Sequence, residues 1–392
     1  MKRITLLCSM LLGFAAIAYS CNSATSKNNT ENTTVVVDNT DYNKTNHRTK
    51  IQVAILLDTS SSMDGLIEQT KSRLWNIVNT LTTLKYRGEN PQIEIAIYEY
   101  GNNNIRTDDY IRQVTPLTTD LDLISQRLFA LTTNGGYEYC GAVIDKATRM
   151  LDWGNNDADM KLIYIAGNEP FTQGSISYKS AIDRALARNI YINTIHCGSS
   201  SSGINGMWRD GAIRGKGKFF NIDHNARVQH IDTPYDADIS RCNERLNSTY
   251  VGYGVSGYAR MENQKMQDTN ARSISSANYA ERAVSKTKSV YNNSSWDLVD
   301  KVKEDRNALA TIDKKELPKE LQNKSKDELQ ALITKKEAER TTIQKEIAEL
   351  AKKRQAYIDE KSKNAGTEDD LGNAINESIL AFANKKGYTV EK

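Results

Sequence analysis

Val53-Ala54-Ile55-Leu56-Leu57-Asp58-Thr59-Ser60-Ser61-Ser62-Met63 is the stretch whose reading decides the fold. The unbroken apolar run, partly β-branched, reads as a strand buried on both faces, as in a parallel sheet. Where the strand stops, Asp58, Ser60 and Ser62 place a carboxylate and two hydroxyls at alternate positions of one turn. Oxygen donors of that kind suit Mg²⁺, Mn²⁺ or Ca²⁺ rather than zinc. Leu66, Ile67, Thr70, Leu74, Ile77, Val78, Leu81 and Leu84 follow at spacings of three and four, the pattern of an amphipathic helix.

The alternation continues outward. Strands are expected over 93–98, 110–114, 162–166, 190–195 and 219–222, and helices over 121–131, 142–151, 181–186 and 236–247. Asn189 can end the 181–186 helix in a left-handed conformation. Strand and helix in turn predict an α/β fold: a doubly wound, mainly parallel sheet with helices on both faces. Ligands of such sheets sit beyond the carboxyl ends of strands, where strand order reverses. Asp58, Thr133, Asn168 and His196 all fall at or just past such ends.

Asp58-x-Ser60-x-Ser62 in this setting resembles the first motif of the metal-ion-dependent adhesion site of von Willebrand factor type A domains. The resemblance implies that region 50–250 is such a domain. It also implies two further ligands, a Thr from a loop before a helix and an Asp after a later strand. Thr133, in Leu131-Thr132-Thr133-Asn134-Gly135-Gly136-Tyr137-Glu138, takes the second place, with Glu138 as the alternative. At the third motif relatives carry Thr-Asp-Gly-x-Pro, and this chain has Ala166-Gly167-Asn168-Glu169-Pro170. Aligned on the proline, Gly167 stands at the Asp position, so Asn168 becomes the expected donor and Glu169 its alternative. A neutral amide lowers the ligand charge, and Mg²⁺ or Mn²⁺ is expected to bind weakly. The implied partner is a protein, offering a carboxylate of its own to the metal.

The 392 residues carry 52 basic and 49 acidic side chains, a net charge of +3, which argues against nucleic acid as the partner. Lys2 and Arg3 precede an apolar run from Ile4 to Ala18 and then Ala18-Tyr19-Ser20-Cys21, a secretory signal over 1–20. Cys21 resembles the lipid-modified cysteine of a bacterial lipobox, which places the chain in the bacterial cell envelope, anchored by lipid to a membrane. Residues 21–49 are Asn, Thr, Ser and Lys with little to bury, a disordered tether. Cys140, Cys197 and Cys242 remain after cleavage. An odd set allows one disulfide, for which Cys140 and Cys197 are the expected pair.

Beyond Tyr250 the pattern changes. Gly252, Gly254 and Gly257 open an irregular or helical connection over 251–294, and Ser295 is expected to cap a helix starting at Trp296. Ser325-Lys326-Asp327-Glu328 is a capping box. After it Leu329, Ile333, Ile343, Ile347, Leu350 and Tyr357 form a narrow stripe interrupted by Lys336, Arg340 and Arg354. With Leu371, Ile375, Ile379 and Phe382 of a final helix capped by Thr367, this predicts a hairpin or coiled-coil-like tail over 295–392, packed only lightly on the α/β domain.

Gly211-Ala212-Ile213-Arg214-Gly215-Lys216-Gly217 lacks the spacing and hydroxyl of a phosphate loop. His196 and Cys197, adjacent on a strand, point to opposite faces and cannot act on one substrate together. The reading is therefore a non-enzymatic, envelope-anchored binding protein. The alternatives are an envelope scaffold acting through its helical tail, with a vestigial metal site, and, more remotely, a metal-dependent hydrolase.

Overall fold

In the computed structural model, residues 48–226, 228, 230–365 and 371–391 are described. The signal segment, Cys21, most of the tether and Thr367 lie outside them. In chain order the elements are β1 (Lys50–Asp58), α1 (Asp64–Thr82), β2 (Leu84–Tyr86), β3 (Gln92–Tyr100), β4 (Ile111–Thr118), α2 (Leu121–Phe129) and α3 (Cys140–Met150). They continue with β5 (Met160–Gly167), α4 (Tyr178–Ala187), β6 (Ile190–Cys197), α5 (Ser200–Asn205), α6 (Trp208–Arg214), β7 (Lys216–Ile222) and α7 (Asp236–Asn247). The C-terminal part holds α8 (Gly257–Ile274), α9 (Ser276–Ser285), α10 (Leu298–Glu304), α11 (Ala308–Thr311), α12 (Lys326–Ala365), α13 (Leu371–Lys385) and β8 (Tyr388–Val390).

Six strands form one sheet in the order β4-β3-β1-β5-β6-β7. All its pairs are parallel except β3 with the edge strand β4. β1 is central, between β3 and β5, so its carboxyl end lies where strand order reverses. The alternation of side chains divides its apolar residues between two cores. Ile51, Val53, Ile55 and Leu57 face one, with α1, α2, α7, α9 and α13. Ala54 and Leu56 face the other, with α3, α4 and Trp208 of α6. Asn189 follows α4 with φ of 57°, the left-handed ending its amide side chain tolerates.

The C-terminal region is helical, but its packing differs from the expected hairpin. α12 lies along α7, α9 and α10, while α13 lies on α1 and on the sheet at β5 and β7. Ile375, Ile379 and Phe382 join the main core, as do Ile343 and Ile347. Tyr164 of β5 hydrogen-bonds to Ser378 at 2.9 Å, and Phe382 packs on Tyr191 of β6 with ring centres 5.0 Å apart. β8 then pairs antiparallel with β2. The physical reason is that β5, β6 and β7 leave an apolar face which no helix before Asn247 fully covers, and α13 covers it.

The residues read as breaks in the α12 stripe are its anchors. Arg340 donates to Asp297, Asp300 and the Thr249 carbonyl, and its guanidinium lies 4.1 Å from the Tyr250 ring centre. Arg354 donates to Asp236 at 2.8 Å. Leu329 and Ile333 pack with Leu298, Val299 and Val302 in a small separate core.

Further differences are local. The connection over 251–294 contains two well-formed helices, α8 and α9, and Ser275 caps α9. Asp297, not Ser295, caps the next helix, which begins at Leu298. The capping box at Ser325 and Glu328 forms with both reciprocal bonds. Cys140 and Cys197 do not bridge: Cys197 belongs to the core on the α1 face and Cys140 to the core on the α3 face. The described cysteines are all free and buried. Among the described residues no helix is long and apolar enough to cross a membrane.

Because Ile379 is fully buried in the shared core, Ile379→Ala should cost about 2–5 kcal/mol. Urea denaturation of the full chain followed by tryptophan fluorescence should show one transition displaced by that amount. An unshifted transition would mean that α13 does not support the sheet.

Candidate functional site

Asp58 ends the central strand with its side chain fully buried, an expensive position for a carboxylate. Its Oδ1 accepts a hydrogen bond from the Ser60 amide at 2.7 Å. Ser60 Oγ lies 3.3 Å from Ser62 Oγ, on the short turn that leads into α1. Asp58 Oδ2 receives no N–H or hydroxyl donor. The Glu138 carboxyl, itself buried, faces Asp58 within hydrogen-bonding reach.

The loops after β3 and β5 and the loop between α2 and α3 bring the other groups in. The loop before α3 is tied to the Asp58 turn by Asn134 N–H donating to the Thr59 carbonyl at 3.0 Å. Gly101, just after β3, has φ of +78°, and a Cβ there would stand 2.8 Å from Glu138 Cγ and 2.9 Å from Asp58 Oδ1. Glycine at this position lets the two carboxyls meet. At the end of β5 a Cβ on Gly167 would fall 2.5 Å from the Tyr100 hydroxyl and 3.1 Å from Asp58 Oδ2. That hydroxyl donates to the Ala166 carbonyl at 2.9 Å. A side chain at 167 would have to displace the buried Tyr100 hydroxyl, so an aspartate at that alignment position does not fit beside Tyr100 as it stands.

Asn168 Nδ2 donates to Ser62 Oγ at 3.1 Å, and its buried Oδ1 has no partner. Glu169 is exposed at the rim, where it accepts from Gln173 Nε2 at 3.3 Å. Gln173 Oε1 in turn accepts from the Glu138 amide. Thr133 is turned away from Asp58: its hydroxyl donates to Asp64 in the first turn of α1. The structure thus gathers Asp58, Ser60, Ser62, Glu138 and Asn168, and leaves Thr133 beside α1. Tyr100 and Gly101 escaped sequence reading, because the sequence does not show that β3 is the strand paired beside β1, with Tyr100 opposite Asp58.

Burial raises both acids. Asp58 is pushed up to about 6, with its hydrogen bonds opposing the rise. Glu138 is pushed up to about 9 by burial and then by the Asp58 charge beside it. One proton shared between two facing carboxyls is the arrangement that a divalent cation replaces. Two unsatisfied buried oxygens, Asp58 Oδ2 and Asn168 Oδ1, lie beside two serine hydroxyls, and this donor set fits a hard cation. Among the described residues no three His, Cys, Asp or Glu side chains gather as a ligand set.

Residues 52–231 match the family model of the von Willebrand factor type A domain. This stretch has the type A fold. Among solved structures, the SpRpn10 VWA domain is 20% identical over 44% of this chain and 87% of that one, with a TM-score of 0.34. Proximal thread matrix protein 1 from the mussel byssus, solved with a zinc-occupied MIDAS motif, is 12% identical over 45% of this chain and 44% of that one, with a TM-score of 0.34. An aerotolerance-related membrane protein from Bacteroides fragilis is 14% identical over 44% of this chain and 92% of that one, with a TM-score of 0.32. No curated protein matches the chain.

Elsewhere on this edge of the type A sheet, His196 is buried beside Trp208 and Asn221, while Cys197 lies on the opposite face. Gly211–Arg214 closes α6 and the following glycines turn into β7, with no cradle for phosphate.

The shared proton has a consequence for stability. Glu138 titrates near 4.5 when exposed and about 9 when folded. Its protonated form stabilises the cation-free fold, fully below 4.5 and progressively less as pH rises towards 9. In EDTA, the thermal midpoint of the full chain should fall between those limits, and Glu138→Gln should flatten the slope. Equal slopes would remove Glu138 from the pair.

Proposed function

We propose that this chain is a non-enzymatic binding protein of the bacterial envelope, whose type A domain holds a partner through a divalent cation at the Asp58 site. The observation that carries the reading is Asp58 itself: a fully buried carboxylate with one oxygen undonated, facing a second buried carboxyl. Asp58, Ser60, Ser62, Glu138 and Asn168 would hold Mg²⁺ or Mn²⁺, and the cation would offer its remaining positions to the partner. Thr133, Glu138 and Glu169 differ in role on this reading. Glu138 supplies charge, Thr133 steadies α1 through Asp64, and Glu169 edges the opening.

Two features support binding over catalysis. The Cys140 and Cys197 thiols are pushed well above the usual range by burial, so neither is a ready nucleophile. The His196 ring is enclosed by Trp208, Asn221 and the backbone at Gly203. Burial of the α12 and α13 stripes in the domain also speaks against a tail that acts as a free scaffold. Cys21 would carry the lipid anchor and the Asn-rich segment after it would space the domain from the membrane. A protein offering a carboxylate is the partner that the family resemblance implies.

Calorimetry on the full chain tests the site. Mg²⁺ should bind, more tightly at higher pH because the shared proton must leave. Asp58→Ala should abolish binding, Glu138→Gln should weaken it by about tenfold or more, and Thr133→Ala should leave it unchanged. Equal titration of Asp58→Ala and the unaltered chain would end the cation reading.

The anchor is tested separately. Intact-mass measurement of chain extracted from membranes should show a lipid-modified Cys21 as its first residue. Cys21→Ser should move the chain to the soluble fraction. An unmodified mature chain, or membrane retention of the variant, would refute lipid anchoring.

A further inference from the structure

Where the last turn of α7 meets α8 and the end of α9, a lysine, an asparagine and an aspartate are in mutual hydrogen-bonding contact. Lys286, directly after α9, is fully buried. Its Nζ lies 2.5 Å from Oδ1 of Asn247, the last residue of α7. It lies 3.2 and 3.4 Å from the two carboxylate oxygens of Asp268 in α8. The amine is thus nearer to the amide than to the acid, which a plain ion pair does not require. Asp268 Oδ2 also accepts from Asn247 Nδ2 at 2.7 Å, so one oxygen touches both the amine and the amide nitrogen. With an amide C=O about 1.2 Å long, Nζ stands no more than about 3.7 Å from Asn247 Cγ.

The surroundings suit the amine as a nucleophile and the acid as a proton acceptor. Burial pushes Lys286 down to about 8, which brings its neutral form within reach near neutral pH. Burial alone would raise Asp268, but Lys286 and Arg282 hold it well below the usual carboxylate range, so it is ionised and able to take a proton. Arg282 Nε donates to Asp268 Oδ1 at 2.5 Å and Asn243 Nδ2 to Oδ2 at 2.9 Å, and these bonds fix the carboxylate in place. The buried Tyr250 ring lies 5.9 Å from Nζ, and Asn247 is only partly exposed, so little water competes for the amide carbon. Holding a nucleophile against an acyl carbon in a fixed site is what lets an otherwise slow amide exchange proceed.

We propose that Lys286 and Asn247 condense into an intramolecular isopeptide bond, a modification that is independent of the cation reading. The Nζ lone pair attacks Asn247 Cγ and forms the new C–N bond; the Cγ–Nδ2 bond breaks and Nδ2 leaves as ammonia. The proton lost by Nζ passes to Asp268 Oδ2 and from there to the departing nitrogen, so Asp268 ends as it began. Ammonia is the one by-product, and nothing is oxidised or reduced. The product ties the last turn of α7 to the end of α9 across α8, closing a ring over residues 247–286. α7 and α9 then cannot separate, and a docking that hydrogen bonds alone would leave reversible becomes permanent.

Peptide mapping of the full chain tests the bond. After denaturation and trypsin digestion, segments 246–260 and 283–288 should appear as one branched peptide, one ammonia lighter than the two together, because trypsin does not cut at an acylated lysine. Asn247→Ala should lose the branched peptide. Asp268→Asn should lose it too, although both reacting side chains remain. The unaltered chain decides the matter whatever the variants do. Separate peptides, with cleavage after Lys286 as at any free lysine, overturn the proposal. The same mass loss confined to 246–260, as a cyclised asparagine would give, overturns it as well. A branched peptide one water lighter, joining 283–288 to the segment that holds Asp268, overturns the choice of Asn247. A branched peptide that persists in Asp268→Asn overturns the role of Asp268 as proton carrier.

Discussion

A parallel sheet has to be dry on both faces, and that constraint organises the whole chain. β1 and β5 are buried along nearly their entire length, so every strand position must be covered by some helix. On one face the domain's own α3, α4 and α6 do this. On the other, the helices before Asn247 are joined by α13, which arrives from more than a hundred residues later. Tyr388 then reaches back to the first strand and accepts its role as a plug, its hydroxyl donating to the carbonyls of Lys50 and Ala158. The matched domain of 52–231 is thus not a complete hydrophobic unit in this protein.

Bringing helices from so far along the chain requires fixing them against the domain, and buried ion pairs do that. Arg282 is fully buried, paired with Asp122 of α2 and Asp268 of α8, with its guanidinium 4.6 Å from the Trp75 ring centre in α1. Burial alone would raise Asp268, yet Lys286 and Arg282 hold it well below the usual carboxylate range. Lys286 is itself pushed down to about 8 by burial. Removing one member of such a set strands the others without water, a cost of about 3–5 kcal/mol. The same logic applies to Arg340 and Arg354 on α12. These pairs select one docking geometry for α8, α9 and α12, which generic apolar stripes would not.

The elements with a strong period were readable from sequence because their burial is local. β1, β5 and α7 fall where apolar runs and the helical stripe predict them. What was not legible depended on partners distant in the chain. Arg340 and Arg354 read as faults in a stripe because their carboxylates, on Asp297, Asp300 and Asp236, come from other helices. β2 and β8 have three residues each and pair across the length of the protein, so neither carries a pattern of its own. Cys140 and Cys197 were the expected pair, but Cys140 opens α3 on one face of the sheet while Cys197 of β6 points into the core on the other. At the site, Asp58, Ser60 and Ser62 are legible as one short turn. The position of Thr133 against Asp64 is not, because it depends on how the first turn of α1 meets a loop that comes sixty-nine residues later.

Steric room explains how the site differs from the pattern its sequence resembles. The Tyr100 hydroxyl fills the space at the end of β5, so any side chain at 167 would have to displace it. With Gly167 carrying no acid, the second carboxyl comes from the loop before α3, where glycine at 101 leaves room for Glu138 to reach Asp58. Both glycines border the same carboxylate: a Cβ at 167 would stand 3.1 Å from Asp58 Oδ2 and one at 101 2.9 Å from Asp58 Oδ1. Moving the charge to the loop before α3 also places it directly after Tyr137, so the residue that faces Asp58 and the residue that faces solvent are chain neighbours pointing apart.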